Sequence, residues 1–362
     1  MLRNDFVERM CSMNRIKIGN RWVGDGEPVY IIAEIASSFD GSKERAKLLI
    51  DLAVDCGADA VKFQCFKADK IVSKEGFEGL KSGFQSKWDK SVYRMYQDAE
   101  FPRQWHQELF DYAKNKSVDF LSSPYDKEAV DIVAELGSPA LKIGSGDLTW
   151  LEMLTYMAEK KMPIILGTGA STIAEIEEAV ETIRNAGNDE IVLLQCVTNY
   201  PSHFEHANIK AMQTLRKVFD VPVGYSDHTP GSVVPLGAVA FGACMIEKHF
   251  TDDKSRKGPD HPFSMNPEDF KEMVDGVRAL EKAMGSCAKS LYEEEKDTVV
   301  LQRRCLRASK DLTKGMIITE EMIEVLRPAP KEALYPKYKP ILIGRELKAD
   351  LKKGAPFTWD AI

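Results

Sequence analysis

Residues with reactive side chains recur at a spacing of two near the ends of short apolar runs. The pairs are Lys62 with Gln64, Ser226 with His228, and Glu247 with His249. Because side chains alternate along a β-strand, residues two positions apart face the same side of a sheet. If the runs are strands of one closed sheet, these ammonium, imidazole and carboxyl groups converge on one space and can act on a ligand there.

Two lysines, Lys62 and Lys142, lie within such runs. Burial of an ammonium group costs free energy unless an anion compensates its charge. A phosphate or carboxylate ligand would do so, and neighbouring serines could add hydrogen bonds. The serines in suitable positions are Ser145 and Ser226. The structural alternative is that one of the two lysines pairs with a strand-end glutamate, Glu34 or Glu247.

His228 and His249 end neighbouring runs and form a candidate metal pair. Imidazole binds first-row divalent metal ions, and two histidines completed by water and substrate oxygens leave open positions for Lewis acid chemistry. Hydrogen-bonded structural histidines are the alternative interpretation. Glu34, at the end of the first run, could orient a ligand water or act as a general acid or base.

Two loops add further polar groups. Asp260 lies in the loop Gly258–His261 after the last run, where it could accept hydrogen bonds from sugar hydroxyls or simply stabilise a turn. Tyr200 follows the sixth run and is open to the same two interpretations.

The apolar runs alternate with longer segments of helical periodicity, which is typical of parallel strands joined by crossover helices. The runs are Tyr30–Ile35, Ala60–Gln64, Asp119–Ser122, Ala140–Gly144, Pro163–Gly167, Ile191–Cys196, Val221–Tyr225 and Cys244–His249. Their number and span favour an α/β fold of the (β/α)8 TIM barrel type, in which polar residues at strand C-termini form the active site. A doubly wound open sheet is the alternative, but its GxGxxG turn is missing after the first strand.

The segments that flank the runs predict the domain organisation. Residues 16–24 predict a β-hairpin with a tight turn at Gly19, and Asn266 followed by a proline predicts the N-cap of a helix that ends at about Met284. A polar, acidic stretch follows. We therefore expect a catalytic domain over residues 1–284, a linker over 285–297 and a small β-rich domain over 298–362.

The composition excludes several classes of protein. The chain has 362 residues and a net charge of −7, with no basic stripe for a nucleic acid. Its longest apolar run, Val233–Met245, is shorter than the roughly 20 residues of a membrane helix. The segment Met1–Lys17 lacks the order of a secretion signal, and the 7 cysteines lack short metal-ligand spacings. We therefore expect a cytoplasmic protein with reduced thiols and no membrane or nucleic acid partner.

Several stretches, in this order along the chain, resemble the N-acetylneuraminate (sialic acid) synthase family, which includes synthases of related nine-carbon sugars and spore-coat polysaccharide proteins. The matching stretches are Ile32–Ile35, Gly57–Gln64, Ser122–Asp126, Leu141–Asp147, Gly224–His228, Ile246–His249, Gly258–His261 and Gly344–Arg345. The resemblance extends from about Ile16 to Ile362. It implies a TIM barrel followed by an antifreeze-like (SAF) domain, arranged as a domain-swapped homodimer.

The resemblance also implies an activity and a cofactor. Members of the family condense phosphoenolpyruvate with an N-acylated aldose, such as N-acetylmannosamine, to give a nonulosonic acid and phosphate. The bond between carbon and oxygen of the phosphate ester is broken, and a divalent Mn²⁺ or Mg²⁺ activates the aldehyde. This chain is therefore expected to be a metal-dependent transferase of polysaccharide or nonulosonic acid biosynthesis.

Site residues are carried over from the resemblance position by position. Phosphoenolpyruvate is expected to contact Lys62, Ser123, Lys142, Ser145, Asn199 or Thr198, and Ser226. The metal is expected on His228 and His249. The sugar is expected to face Glu34, Gln64, Asp147, Tyr200 and Asp260. Arg327 resembles an arginine that reaches from the antifreeze-like domain into the barrel of the partner subunit.

The sequence departs from the family pattern at the sugar end of the site. An Asn-His pair commonly follows the first strand, whereas this chain has Ala36–Asp40 there, and Asp147 stands where glutamate is usual. These differences leave the expected phosphoenolpyruvate and metal positions intact but make N-acetylmannosamine uncertain as the acceptor. They also motivate an alternative function, a non-catalytic carbohydrate-binding or scaffold protein that retains the barrel.

Overall fold

A computed structural model of the chain describes residues 14–78, 88 and 90–362. Cys11 and most of the N-terminal segment used to predict the absence of a secretion signal lie outside this range. The chain divides into two compact units, with the boundary between Gly285 and Ser286. The cysteines in the described part of the chain form no disulfide bond with one another.

The predicted hairpin is present and closes one end of the first unit. Strands β1 (Arg15–Ile18) and β2 (Arg21–Gly24) are antiparallel, with a two-residue turn in which Gly19 has φ +57°. That left-handed conformation favours glycine. Ile16, Ile18 and Val23 pack into a core with residues from the N-terminal halves of the following strands, which places the hairpin at the barrel bottom.

The eight predicted strands of the first unit are all present and form one parallel sheet. They are β3 (Tyr30–Glu34), β4 (Ala60–Cys65), β5 (Asp119–Pro124), β6 (Leu141–Ile143), β7 (Ile164–Gly167), β8 (Ile191–Cys196), β9 (Val223–Asp227) and β10 (Met245–His249). The order across the sheet is β5-β4-β3-β10-β9-β8-β7-β6. The two outermost strands, β5 and β6, also lie side by side, so the sheet curves into the predicted TIM barrel.

Helices connect the strands and surround this barrel. They are α1 (Lys43–Asp55), α2 (Ala68–Ile71), α3 (Lys74–Glu78), α4 (Val92–Asp98), α5 (His106–Asn115), α6 (Lys127–Glu135), α7 (Leu151–Ala158), α8 (Ile173–Asn185), α9 (Ala211–Phe219), α10 (Val233–Ala240) and α11 (Pro267–Met284). The last of these begins as predicted, because the side chain of Asn266 accepts a hydrogen bond from the backbone N–H of Asp269.

Side chains of the strands alternate between two cores, and this alternation places the functional groups. On β3, Ile31 and Ala33 point outward and pack with the helices, whereas Tyr30 and Ile32 point into the barrel. Glu34 continues the inward series at the carboxyl end of the strand. The same alternation brings the polar ends of the other strands into the barrel mouth.

The second unit has its own small core, which includes Leu306, Ile318, Leu347 and Phe357. Its elements are α12 (Lys296–Gln302), the antiparallel pair β11 (Cys305–Ala308) and β12 (Ile323–Leu326), and α13 (Lys339–Leu342). Helix α12 begins inside the predicted linker, directly after a 3₁₀ turn at Glu293–Glu295. No helix of the described residues is both long enough and apolar enough to cross a membrane.

Candidate active site

Four residues from neighbouring strands meet at the carboxyl end of the barrel. In the parallel register Glu34 lies beside Lys62 on β4 and beside His249 on β10. Glu247 precedes His249 by two positions and faces the same side. All four side chains are buried. The spacing of two that the sequence displays therefore corresponds to a real cluster.

The two lysines are held by two glutamates. Lys62 Nζ lies 2.7 Å from Glu34 Oε2 and 3.6 Å from Glu247 Oε2, and Lys142 Nζ lies 3.1 Å from Glu247 Oε1. The sequence left open whether one lysine pairs internally, and in the structure both do. Glu247 links the two ammonium groups, which keeps them next to each other.

Hydrogen bonds fix the positions of these charged groups. Ser226 Oγ donates to Glu247 Oε1 at 2.9 Å, and Gln64 Nε2 donates to Glu34 Oε1 at 2.7 Å. Lys62 Nζ donates to Ser123 Oγ at 3.2 Å. These hydrogen bonds hold the charged groups in defined positions without a ligand.

The pKa values of the two glutamates, Glu34 and Glu247, are shifted in opposite directions. Burial raises the pKa of Glu34 to about 7, outweighing the opposite effect of the Lys62 ammonium group. Burial also opposes ionisation of Glu247, but the ammonium groups of Lys142 and Lys62 outweigh it and hold the pKa of Glu247 well below its usual range. Glu247 is therefore ionised near neutral pH, whereas Glu34 can hold or release a proton there, as a general acid or base must.

The imidazole rings of His228 and His249 lie next to this cluster, tilted relative to each other, with ring centroids 5.4 Å apart. Burial lowers the pKa of each to about 3, so both imidazoles are neutral. His228 Nδ1 donates to the Val197 carbonyl at 2.9 Å, which leaves its Nε2 with a lone pair. The buried Nδ1 of His249 has no hydrogen-bond partner among the described residues. Aromatic rings of Tyr200 and Phe263 pack against the pair.

Two loops bring polar groups to the cavity rim. Asp260 is partly buried, and its Oδ2 accepts hydrogen bonds from the Ser37 backbone N–H, at 3.0 Å, and from the Ser37 hydroxyl. Next to it, His261 Nε2 donates to Asp40 Oδ1 at 2.9 Å. Hydrogen bonds therefore join the loop after β3 to the loop after β10 at two points, and they hold the Asp260 side chain in place.

Asp147 and Ser145 lie after β6. Burial raises the pKa of Asp147 to about 6, although nearby Lys142 lowers it. Ser145 Oγ accepts a hydrogen bond from the Gly169 backbone N–H at 3.0 Å and lies 2.9 Å from Cys196 Sγ. Ser145 is thus oriented by the segment that follows β7 and by the end of β8.

A cavity of about 430 Å³ joins all of these groups. Most residues that the sequence predicts for the site line it: Glu34, Lys62, Gln64, Lys142, Ser145, Asp147, Tyr200, Ser226, His228, His249 and Asp260. Ser123 lies just behind the lining, where it contacts Lys62.

Two predicted site residues are not among those that line this cavity. Asn199 is exposed and does not line this cavity, whereas Thr198, its alternative, does. The backbone after β8 turns at this point, so neighbouring side chains point in different directions. Arg327 is exposed in the second unit, where its Nε donates to the Gln302 carbonyl at 2.6 Å. Its expected role in a partner's barrel stays a prediction.

The structure also brings in residues that the sequence did not single out. Ser37 binds Asp260, although the departure at Ala36–Asp40 marked only the segment. An apolar group from the connection after β4 also lines the cavity, at Phe66, Ile71, Trp88, Met95, Tyr96 and Ala99. The unusual length of that connection is the feature of the sequence that could have indicated these residues.

Comparison with known proteins places this geometry in a family. Residues 49–289 match the model of the NeuB family, and residues 303–362 match that of the SAF domain. An N,N'-diacetyllegionaminic acid synthase of Legionella pneumophila is 38% identical over 94% of this chain and 96% of its own length. One of Campylobacter jejuni is 42% identical over 83% of this chain and 90% of its own length.

A solved structure gives the same result. The N-acetylneuraminic acid synthetase of Leptospira borgpetersenii, crystallised with citrate, has a TM-score of 0.71 and 31% identity. The alignment covers 79% of this chain and 95% of that one.

Proposed function

This chain belongs to the NeuB family, and we propose that it condenses phosphoenolpyruvate with an N-acylated aldose to give a nonulosonic acid and inorganic phosphate. The reaction joins C3 of phosphoenolpyruvate to the aldehyde carbon. Water adds at C2, and phosphate leaves with the oxygen that linked it to C2.

The observation that carries this proposal is the buried pair of ammonium groups at the barrel mouth. Lys62 and Lys142 would bind the carboxylate and phosphate of phosphoenolpyruvate, and Ser145 and Ser226, which line the same cavity, would add hydrogen bonds. When Glu34 takes up a proton, two ammonium groups face one carboxylate, that of Glu247. An anionic ligand then compensates the remaining charge, so the site favours a small dianion or trianion.

The residues present fit a divalent metal. His249 offers a buried Nδ1 without a hydrogen-bond partner among the described residues, and His228 is oriented through its other nitrogen, as metal-binding histidines usually are. The described residues contain no set of three His, Cys, Asp or Glu side chains that could hold a metal ion, so the proposed site has the two imidazoles as its protein ligands. His228 and His249 would hold Mn²⁺ or Mg²⁺, which as a Lewis acid would make the aldehyde carbon more electrophilic.

The chain's own residues supply the remaining functions. Glu34, held by Gln64 and Lys62, can give a proton to the new alkoxide or take one from the attacking water. Glu247 stays ionised between Lys62 and Lys142, and would stabilise the positive charge that develops at C2 of bound phosphoenolpyruvate. Asp260 can accept hydrogen bonds from the sugar hydroxyls.

The test is a phosphate-release assay on the whole protein. Incubation with Mn²⁺, phosphoenolpyruvate and a panel of N-acylated aldoses should release phosphate with at least one sugar. In ¹⁸O-water the label should appear at C2 of the product and not in the phosphate. Lys142→Met should lose at least about 100-fold in kcat/KM, because it removes a charge that the dianion needs. Release of labelled phosphate would contradict the proposed bond cleavage.

The non-catalytic alternative predicts a different result. A carbohydrate-binding or scaffold protein would bind a sugar in calorimetry with the same affinity whether or not Mn²⁺ and phosphoenolpyruvate are present. No phosphate release across the panel, together with such binding, would favour that alternative over the synthase.

We also propose that the active form is a swapped homodimer in which Arg327 completes the partner's site. The small core of the second unit and its exposed apolar side chains, among them Leu326 and Ile317, support a role in association. Light scattering should give the mass of a dimer. Arg327→Ala should raise the KM of the sugar more than that of phosphoenolpyruvate, and a monomer with full activity would contradict the proposal.

A further inference from the structure

The thiol of Cys196 lies beside the groups that are proposed to bind an anion. On β8, Val192 and Leu194 point into the barrel, and Cys196 continues this inward series at the end of the strand. Cys196 and Ser145 both line the cavity, and Cys196 Sγ lies 2.9 Å from Ser145 Oγ. A buried cysteine usually behaves as a small apolar residue. This polar contact distinguishes Cys196 from a thiol that only fills space.

Two glycines leave room for the contact between Ser145 and Cys196. A Cβ atom at Gly167 would lie 2.8 Å from Ser145 Oγ. A Cβ atom at Gly169 would lie 2.8 Å from Cys196 Sγ and 3.1 Å from Ser145 Oγ. Neither glycine has a positive φ, so the backbone conformation does not require glycine at these positions. The ends of β7 and β8 are therefore shaped around the pair formed by Ser145 and Cys196.

The hydrogen bonds of the Ser145 hydroxyl can be counted. A hydroxyl group has one hydrogen to donate and two lone pairs that accept. The Gly169 backbone N–H donates to Ser145 Oγ at 3.0 Å and occupies one lone pair, whereas the contact with Cys196 can have either direction. If Ser145 donated to the sulfur, no hydrogen would remain for a ligand. If the thiol donates, both lone pairs are occupied and the hydroxyl hydrogen is left for the cavity.

The surroundings of the pair favour the thiol as the donor when an anion is bound. Burial raises the pKa of the Cys196 thiol, although Ser145 and Lys142 oppose this effect, so the thiol keeps its hydrogen near neutral pH. Lys142 lines the same cavity and would attract an anion to this end. A carboxylate or a fully ionised phosphate accepts hydrogen bonds but donates none. Ser145 must then donate to the anion, which leaves Cys196 as the donor to Ser145.

We infer that Cys196 is a positioning residue, whose S–H donates to Ser145 and thereby turns the Ser145 hydroxyl hydrogen toward an anion in the cavity. This inference rests on the proposed function, in which Ser145 contacts phosphoenolpyruvate. Cys196 acts through Ser145 and needs no contact of its own with the ligand. Gly167 and Gly169 have the complementary role of leaving the space in which the pair lies.

The test is calorimetric titration of the intact protein with phosphoenolpyruvate, in the presence of Mn²⁺ and without a sugar. Cys196→Ala should raise the Kd about tenfold, because an unoriented hydroxyl forfeits about one hydrogen bond. Cys196→Ser keeps a donor at this position and should bind within about twofold of the parent protein. Parent-like affinity in Cys196→Ala, or equally weak binding by Cys196→Ala and Cys196→Ser, would overturn the inference.

A double variant shows whether Cys196 acts through Ser145. In Ser145→Ala no hydroxyl is left to orient, so the addition of Cys196→Ala should not weaken phosphoenolpyruvate binding further. A cysteine that only packs would weaken binding by the same factor in both backgrounds. That additive result would overturn the positioning role. Circular dichroism shows that each variant is folded.

Cys244→Ala is the matched control for loss of a buried thiol. Cys244 and Cys196 are both 6% exposed, but Cys244 lies in the core at the barrel bottom and does not line the cavity. Cys244→Ala should bind phosphoenolpyruvate as the parent protein does. If it binds as weakly as Cys196→Ala, the effect comes from packing and the inference is wrong.

Gly167→Ala is a second route to the same result if Cys196→Ala does not fold. The added methyl group would displace the Ser145 hydroxyl, so this variant should bind phosphoenolpyruvate as weakly as Ser145→Ala. Parent-like affinity in folded Gly167→Ala would contradict the role of the recess.

The titrations also separate this inference from the proposed reaction. If the parent protein binds phosphoenolpyruvate but releases phosphate with no sugar, the reaction fails, and an affinity that depends on Cys196 still upholds the inference. If turnover occurs and Cys196→Ala binds phosphoenolpyruvate normally, only the inference fails. If the parent protein binds neither phosphoenolpyruvate nor inorganic phosphate, Ser145 meets no anion, and both are overturned.

Discussion

Lys142 Nζ lies 3.1 Å from Glu247 Oε1 inside the barrel, and the other oxygen of that carboxylate lies 3.6 Å from Lys62 Nζ. One glutamate is therefore shared by the two cations that are expected to bind an anionic substrate. The carboxylate of Glu247 holds the two ammonium groups close together against their mutual repulsion. The cluster is also charge-compensated before a ligand arrives, which lowers the cost of burying it.

Glu247→Gln should destabilise the protein and make its stability more sensitive to ligand. The substitution keeps the size of the side chain but leaves two buried ammonium groups with the Glu34 carboxylate alone. Loss of one partner from a buried ion pair costs about 3–5 kcal/mol. Phosphoenolpyruvate should recover part of this loss, so the rise in Tm on adding it should be larger in the variant than in the parent protein.

Glu177→Gln provides the matched control for this thermal-shift measurement, since Glu177 is exposed on α8. It should change neither the Tm nor the shift caused by phosphoenolpyruvate. If Glu247→Gln behaves like this control, the carboxylate is not needed to hold the lysines.

His249→Ala should abolish tight Mn²⁺ binding and leave the fold intact. Its imidazole is neutral, and its buried Nδ1 lacks a hydrogen-bond partner among the described residues, so the substitution removes a metal donor without breaking a hydrogen bond to that nitrogen. Titration calorimetry with Mn²⁺ and a circular dichroism spectrum make the measurement. His203→Ala, at an exposed position, should bind Mn²⁺ as the parent protein does. Unchanged Mn²⁺ affinity in His249→Ala would refute the metal assignment.

The barrel could be predicted from the sequence because its signal is periodic. Each apolar run is bounded by polar segments of helical period, and the spacing of two at Glu247 and His249 fixes which side chains share a face. The hairpin turn at Gly19 and the helix N-cap at Asn266 depend on local chemistry, and both are confirmed.

Other features of the site depend on contacts between distant positions, which a single sequence does not encode. The sequence could not decide between a free and a paired lysine, since Lys142 and Glu247 are separated by 105 positions. It also could not separate Thr198 from Asn199, because the backbone after β8 is irregular and has no periodicity. The apolar residues that line the cavity from the connection after β4 could not be predicted, because α4 is a short helix without a regular apolar pattern.

The contribution of Asp147 to the stability of the protein should fall as the pH rises from about 4 to 6. Its folded-state pKa of about 6 exceeds the unfolded value of about 3.9, so the folded state holds the proton more tightly in this range. The contribution of this group is complete below pH 4 and is lost above pH 6. Asp147→Asn should remove it, which makes the variant more stable than the parent at pH 8 by up to about 3 kcal/mol. Urea unfolding at several pH values measures the difference, and parallel curves for the two proteins would contradict it.

The buried ion pair between Lys248 and Asp227 should help to position the two candidate metal ligands, His249 and His228. These residues are opposite each other in the register of β10 and β9, point away from the cavity, and are adjacent in sequence to His249 and His228. Lys248→Met should cost about 3–5 kcal/mol of unfolding free energy, because it leaves the Asp227 carboxylate buried without its cation. It should also weaken Mn²⁺ binding roughly 10–100-fold, as changes behind metal ligands do.

The double variant Lys248→Met with Asp227→Asn distinguishes this effect from simple loss of packing. Removing both charges relieves the unpaired carboxylate, so the double variant should be more stable than Lys248→Met alone. Urea unfolding gives the stabilities, and calorimetry gives the Mn²⁺ affinities. The opposite outcome is that the loss of unfolding free energy in the double variant equals the sum of the losses in Lys248→Met and Asp227→Asn. That result, together with unchanged Mn²⁺ binding, would mean that the ion pair does not position the histidines.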